Sequence, residues 1–298
     1  MLAELLAAAA AVLAGTWQSG PPLPVARTEV AGAVVRGEIY IVGGYLADGR
    51  SSSRVDVFSP QTRRWRRAPD LPVAVNHAMA AAYRGRLYVV GGYSATGTLR
   101  TTYVLANRRW RRLAPMPAPR AAAGAAVAGG RLYIVGGVRQ SGVLARAAFA
   151  FDLRRLRWAT VPGPTPREHL AAAALGGKVY AVAGRLGGLN SNQTLVESLT
   201  PGRSWTAVPP LPESRGGTGA AAAGGRLVSV GGEEPGGTIA SVYAYDPGTR
   251  RWERLPDLPT PRHGLAAVSI GPRVYVIAGG PRPGLYVSGA NESLDVRD

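Results

Sequence analysis

The sequence predicts an all-β fold: six sheets of four antiparallel strands each, set radially around one axis. The heptapeptide Arg131-Leu132-Tyr133-Ile134-Val135-Gly136-Gly137 recurs with small changes at residues 38–44, 86–92, 131–137, 178–184, 226–232 and 273–279. The six tryptophans, Trp17, Trp65, Trp110, Trp158, Trp205 and Trp252, stand 48, 45, 48, 47 and 47 residues apart. Each interval holds short apolar runs bounded by glycine, proline or polar turns, the pattern of an antiparallel sheet. A unit of that size cannot bury both of its faces alone, so like units must stack.

The third repeat shows the elements in order. Residues 121–128 are small and apolar, and Gly129-Gly130 turns the chain. Leu132-Tyr133-Ile134-Val135 is a continuous apolar run, which requires cover on both faces of its sheet. A mostly polar loop, 138–146, leads to a third strand, Ala148-Phe149-Ala150-Phe151-Asp152, and residues 153–157 turn into a fourth around Trp158. Pro162, Pro164 and Pro166 carry the chain onward. Alanine propensity alone favours helix at 121–128, 171–174 and 220–223. These segments are too short for that, and each passes through Gly-Gly into an apolar strand. Small side chains suit strands crowded at an axis. The glycine doublets permit positive φ and close backbone approach. Ala183 and Ala278 replace the first glycine in two of them.

The tryptophans and the strand tyrosines Tyr40, Tyr88, Tyr133, Tyr180 and Tyr275 are the expected filling between sheets. Each burial contributes about 2–3 kcal/mol. The chain opens with a fourth strand around Trp17 that has no first three before it. It closes with a third strand, 293–296, that has no fourth after it. Paired together, they complete the sixth sheet and remove the free edge of an open array.

The 298 residues, 46% of them hydrophobic, therefore form one domain, residues 16–298. The chain has no cysteine, which excludes disulfides, thiolate metal sites and cysteine nucleophiles. The formal charge is +17 and almost wholly arginine, with Lys178 the only lysine. The arginines are spread through every repeat, as on a solvated surface, and no specific nucleic-acid site is expected. Residues 1–15 are a separate apolar segment. The run is too short to span a bilayer. Small residues near Val12-Leu13-Ala14 fit a signal peptide, but Glu4 and a first stretch without Lys or Arg fit an alanine-rich extension as well. A signal peptide implies a secreted or periplasmic protein, and an extension a cytoplasmic one. A monomer is expected.

Glycine doublet, tyrosine three residues before it, tryptophan some twenty residues after it and a Pro-Arg segment beyond: this resembles the Kelch-repeat β-propeller family over roughly residues 16–298. The resemblance implies six blades and a non-catalytic binding protein whose long-loop face takes a peptide, protein or glycan. Copper-radical sugar oxidases of the family need a cysteine, which this chain lacks.

Strand direction alternates, so loops sort by parity onto two faces. The short-turn face collects Arg63, Arg64, Arg84, Arg108, Arg109, Arg154, Arg155, Arg250 and Arg251. The long-loop face receives the connections after each doublet and those leading from tryptophan to the next first strand. There an arginine ends each proline stretch, Arg27, Arg120, Arg167, Arg215 and Arg262, with Val75 in the second repeat. As a ring these arginines make an electropositive mouth for a carboxylate or phosphate; singly, each serves equally as a structural donor to loop carbonyls. The three histidines, His77, His169 and His263, fall one or two residues beyond that point, as do Glu29 and Glu168. Tyr45, Tyr93, Arg185, Glu233 and Glu234 follow the doublets. Arg27, Glu29, His77, Arg120, Arg167, His169, Arg185, Arg215, Arg262 and His263 are thus the expected ligand contacts, for an anionic small molecule, a glycan or a protein partner.

No metal or other cofactor is expected. Histidines from alternate blades should stand more than ~5 Å apart, too far for bonds of ~2 Å. A weaker resemblance leads to an alternative, a carbohydrate-active enzyme. The segment Gly231-Gly232-Glu233-Glu234 is similar to one in the bacterial N-acetylneuraminate epimerases, or sialic-acid mutarotases. It implies Glu233 as acid/base, with Arg215 and its neighbours holding a substrate carboxylate.

Overall fold

The structure, a computed structural model, describes residues 15–296. The apolar segment read as a signal peptide or helical extension lies, but for Gly15, outside the described residues. Among the described residues, six four-stranded antiparallel sheets form a propeller. Blade 1 consists of Ala31–Val35, Glu38–Val42, Val55–Ser59 and Arg64–Arg67, and blades 2 to 5 repeat the pattern. The first strands touch one another around the axis: Ala31–Val35, Met79–Tyr83, Gly124–Ala128, Ala171–Leu175, Gly219–Ala223 and Ala266–Ile270. Their Gly and Ala content is what lets six backbones approach so closely. The cost is low helix resistance in isolation, which the ladder bonds to the second strand overcome. Residues 121–123, expected in strand, belong instead to the rim of the mouth.

Closure follows the expected route. Gln18–Ser19 pairs with Asn291–Asp295, in the register Gln18 with Ser293 and Ser19 with Glu292. The partner strand begins two residues before the position expected from sequence.

The second and third strands are the most deeply covered. In Arg131–Val135, Leu132, Tyr133, Ile134 and Val135 are all buried, with neighbouring blades on both sides. One apolar cluster joins Val42, Val55 and Val57 of blade 1 to Leu87 and Val89 of blade 2, and comparable clusters link the other blades. Tyr88, Tyr133, Tyr180 and Tyr275 lie within these clusters, while Tyr40 and the tryptophans are only partly buried. Each tryptophan instead adds a directional link. Its indole N–H donates to a backbone carbonyl in the preceding proline linker: Trp65 to Pro21 at 2.9 Å, Trp110 to Pro69 at 2.9 Å, Trp252 to Pro209 at 2.8 Å. Trp17 does the same to Pro256 at 2.9 Å, which ties the closing strand to blade 5.

The five arginines expected at the mouth are turned inward and almost wholly buried. Each holds the carbonyl of the first residue of its own blade's doublet. Arg27 Nη1 donates to Gly43 at 2.8 Å, Arg120 Nη1 to Gly136 at 2.7 Å, Arg167 Nε to Ala183 at 2.6 Å, Arg215 Nη1 to Gly231 at 3.3 Å and Arg262 Nε to Ala278 at 2.8 Å. Three also pair with a carboxylate on the third strand: Arg27 with Asp56, Arg167 with Glu197 and Arg262 with Glu292, each at 2.5 Å. Arg120 has no carboxylate and lies over the Phe149 ring, 4.5 Å from its centroid. Burial pulls the guanidinium pKa of Arg27, Arg120 and Arg215 down to about 10, so all three stay charged at neutral pH. The electropositive ring is therefore a set of internal clamps. The reason is the doublet itself. Its carbonyls leave the ladder where φ turns positive, and buried carbonyls need donors.

The doublet also explains its own alanines. The first residue has φ between 54° and 64° in all six blades, a left-handed conformation that alanine tolerates at modest cost. The second has φ from 81° to 124°, outside that region, and is glycine every time.

On the short-turn face the nine expected arginines are all exposed.

Two stability predictions follow from the clamps and the closure. Arg262→Ala leaves Glu292 buried without its cation and should cost about 3–5 kcal/mol. Arg120→Met, with no carboxylate to strand, should cost clearly less. Urea denaturation of the two variants measures the difference. Removal of residues 1–20 exposes the edge of Asn291–Asp295. It should lower the thermal midpoint and promote self-association, read by calorimetry and light scattering.

Candidate functional site

The long-loop end of the axis is built in two tiers. The inner tier is a ring of equivalent residues, one from the entrance of each first strand: Glu29, His77, Ala122, His169, Gly217 and Gly264. All six have left-handed φ, between 48° and 64°. That conformation turns each peptide toward its neighbour. His77 N donates to Glu29 O at 3.0 Å, Ala122 N to His77 O at 3.2 Å, His169 N to Ala122 O at 2.9 Å, Gly217 N to His169 O at 2.9 Å and Gly264 N to Gly217 O at 2.9 Å. Val30 N closes the circle on Gly264 O at 3.2 Å.

The outer tier is a collar of short bridges between the residue before each ring position and the residue after each doublet. The pairs are Thr28–Tyr45, Asn76–Tyr93, Ala121–Val138, Glu168–Arg185, Gly216–Glu233 and His263–Gly280. The single-residue offset of the histidines is thereby resolved. His77 and His169 are ring residues, and His263 belongs to the collar.

Small residues at Ala122, Gly217 and Gly264 leave the centre of the ring to three side chains. His77 Nε2 lies 3.0 Å from His169 Nε2 and 3.2 Å from Glu29 Oε2. The expected wide separation of histidines from alternate blades does not hold, because the peptide ring leaves only one residue, the small Ala122, between them. The ligand atoms of Glu29, His77 and His169 instead lie within 4.8 Å of one another. Below the ring runs an axial cavity of about 140 Å³, lined mainly by Ala and Gly of the first strands.

The charges are interlocked. Arg185 Nε donates to Glu168 Oε1 at 2.8 Å and its Nη1 to Glu233 Oε1 at 2.8 Å. His169 Nδ1 donates to Glu168 Oε2. His263 Nδ1 is 3.2 Å from Glu29 Oε1 and 3.6 Å from Glu233 Oε2. Burial by itself raises the Glu29 carboxyl, but the positive charge that the imidazoles beside it can carry and the hydrogen bond from His263 hold it well below the usual carboxylate range. Burial pushes the His77 imidazolium down to about 4 against the pull of Glu29, so this ring is neutral at pH 7. His263 moves the other way: burial lowers it, but its bond to Glu29 and the charge of Glu233 outweigh that and raise it. Arg185, desolvated but flanked by Glu168 and Glu233, is raised also.

Of the residues expected to touch a ligand, the structure gathers Glu29, His77, His169, His263, Arg185 and Glu233 at the mouth. Arg27, Arg120, Arg167, Arg215 and Arg262 stand behind it in the clamps. Arg215, expected beside Glu233 as a substrate holder, has no exposed surface and donates to Gly231 and Ser241 instead. Glu168, which the sequence places beside the histidines, and Asn76, which it does not single out, also belong to the collar. The signal was there: aligning the repeats on the doublets puts them in one column with His263.

The comparisons agree with this architecture. The family description "KLHDC2/KLHL20/DRC7 Kelch-repeats domain" matches residues 15–162 and 114–280. No curated protein matches the sequence. Among solved structures, one described as "Structure of YjhT" aligns with a TM-score of 0.80 and 16% identity, over 91% of this chain and 95% of that one. At that identity the likeness is one of fold. With most of its length matched by the family description and all six blades in place, the chain belongs to the Kelch-repeat β-propeller family.

Proposed function

We propose that the protein binds a small hydroxyl-rich ligand of the sugar class at the long-loop mouth. The supporting observation is the polar collar around the ring, in which carboxylates, imidazoles, an arginine and an amide converge on a bore otherwise walled mainly by Ala and Gly. Sugar hydroxyls both donate and accept, and alternating acceptors (Glu29, Glu168, Glu233) and donors (Arg185, His263) match that need. Tyr45 and Tyr93, set edge-on to His77 with ring centroids 5.8 and 5.4 Å away, add partly exposed aromatic surface. The four large apolar side chains most exposed among the described residues, Val143, Leu186, Leu285 and Tyr286, all stand on long loops of the same face. They form apolar contact points around the mouth. An anionic ligand is less well served than the arginine count implies, because the one arginine in the collar is already shared by two carboxylates.

A second reading, sugar mutarotation, has one observation in its favour. Glu233 is buried, held by Arg185 and within 3.6 Å of His263 Nδ1, so a fixed carboxylate and an imidazole face the mouth together. Such a pair can accept and return the proton of an anomeric hydroxyl.

Titration calorimetry against a panel of neutral and acidic monosaccharides tests the first reading. Binding should weaken roughly tenfold or more in Arg185→Gln, which removes charged hydrogen bonds of about 1.5–3 kcal/mol each. No binding across the panel, or no effect of Arg185→Gln, would remove it. For the second, NMR should show anomer exchange accelerated by the wild type and reduced at least ~100-fold in Glu233→Gln. Equal rates with and without protein would leave binding as the sole activity.

A further inference from the structure

Three ring side chains meet at one point, and the partners on their far sides determine what they present there. His77 Nδ1 faces Asn76 Oδ1 at 2.6 Å, and the Asn76 amide is oriented by its own donation from Nδ2 to Ser51 Oγ at 2.7 Å. His169 Nδ1 faces Glu168 Oε2, and the other oxygen of that carboxylate accepts from Arg185 Nε at 2.8 Å. Both of those oxygens can only accept, so in each imidazole the proton sits on Nδ1. When both rings are neutral, their Nε2 atoms turn lone pairs toward each other, 3.0 Å apart, with Glu29 Oε2 3.2 Å from the first. Three acceptors with no donor among them repel unless a cation sits between them.

We propose that Glu29, His77 and His169 bind a divalent transition-metal ion of the zinc class on the propeller axis. The three ligand atoms lie within 4.8 Å of one another. In a tetrahedral zinc site with bonds of ~2.0–2.1 Å, neighbouring ligand atoms stand about 3.3 Å apart. The measured 3.0 and 3.2 Å are a few tenths of an ångström from that spacing. Every ligand has an oriented outer partner: Asn76 for His77, Glu168 for His169, and His263 for Glu29 at 3.2 Å. A carboxylate or amide oxygen on the distal imidazole nitrogen is how proteins fix the tautomer of metal-bound histidine. Two imidazoles and one carboxylate favour zinc, iron(II) or cobalt over magnesium or calcium. Three protein ligands leave a coordination position toward the bore, where a water or a ligand hydroxyl fits. The left-handed φ of 52°, 48° and 50° at Glu29, His77 and His169 belongs to the same design, since it points all three side chains at the axis.

Protein stripped with a chelator and titrated with Zn²⁺ should bind one ion per chain, whereas Mg²⁺ should not bind. Co²⁺ should give the intense visible absorption of a tetrahedral site. His77→Asn and His169→Asn suit the test because asparagine also adopts left-handed φ. Each should weaken Zn²⁺ binding at least 100-fold, and Glu168→Gln should weaken it about 10- to 100-fold. Should a variant not fold, wild-type protein labelled with ¹⁵N-histidine decides. Zn²⁺ should shift the Nε2 resonances of two of the three imidazoles. Absence of Zn²⁺ binding by the wild type, unchanged affinity in His169→Asn, or unmoved imidazole resonances would each overturn the site, and the two rings would then share a proton instead. Metal binding is measured without any sugar, so its failure and the failure of the sugar reading are separable.

Discussion

The structure depends on a circle of peptide hydrogen bonds handed from blade to blade at the narrow end of the axis. Each is an ordinary amide bond, worth about 0.5–1.5 kcal/mol net. Their effect lies in what they impose. To reach the next blade, every ring residue must adopt left-handed φ, and every first strand must begin at the same height. Six sheets that otherwise meet mainly through apolar side chains and single side-chain hydrogen bonds are thereby locked in azimuth and in register along the axis.

A second constraint follows. The sharp turn at each doublet strips carbonyls from the strand ladder just outside the ring. In five blades an arginine refills those bonds, and in blade 2 the buried Val75 takes its place, with Met116 beside Gly91. A guanidinium suits the task because its five N–H groups reach several carbonyls and a carboxylate at once. The chain's basic charge is accordingly divided. Arginines of the short turns are solvated, and those of the long-loop linkers are sequestered behind the mouth. The large net charge says little about the ligand, because the five clamp arginines do not face the mouth and the collar arginine, Arg185, is already paired with Glu168 and Glu233.

What remains at the mouth is a compact polar constellation on a rigid frame. Backbone fixes the ring, bridges fix the collar, and Arg185 ties two blades' carboxylates together. Such preorganisation suits recognition of a small ligand, since little side-chain freedom remains to be lost on binding. The apolar side chains on the surrounding loops give the same face a second, more adaptable layer.

Much of this was legible in the residues alone. The fixed spacing of Trp17 to Trp252, the doublets and the unpaired end strands sufficed for six blades and for the closing strand, because a repeat's hydrophobic pattern has only one way to be buried. The sorting of loops onto two faces followed from strand parity. Which way a long side chain turns was decided by tertiary structure. Arg27 and Arg262 sit beside the mouth in sequence, yet they point inward because buried doublet carbonyls and third-strand carboxylates attract them more strongly than water does. Likewise His77 and His169 are 92 residues apart and two blades removed. Only the closed ring, whose diameter is set by Ala and Gly at the intervening positions, brings their nitrogens to within a hydrogen bond of each other.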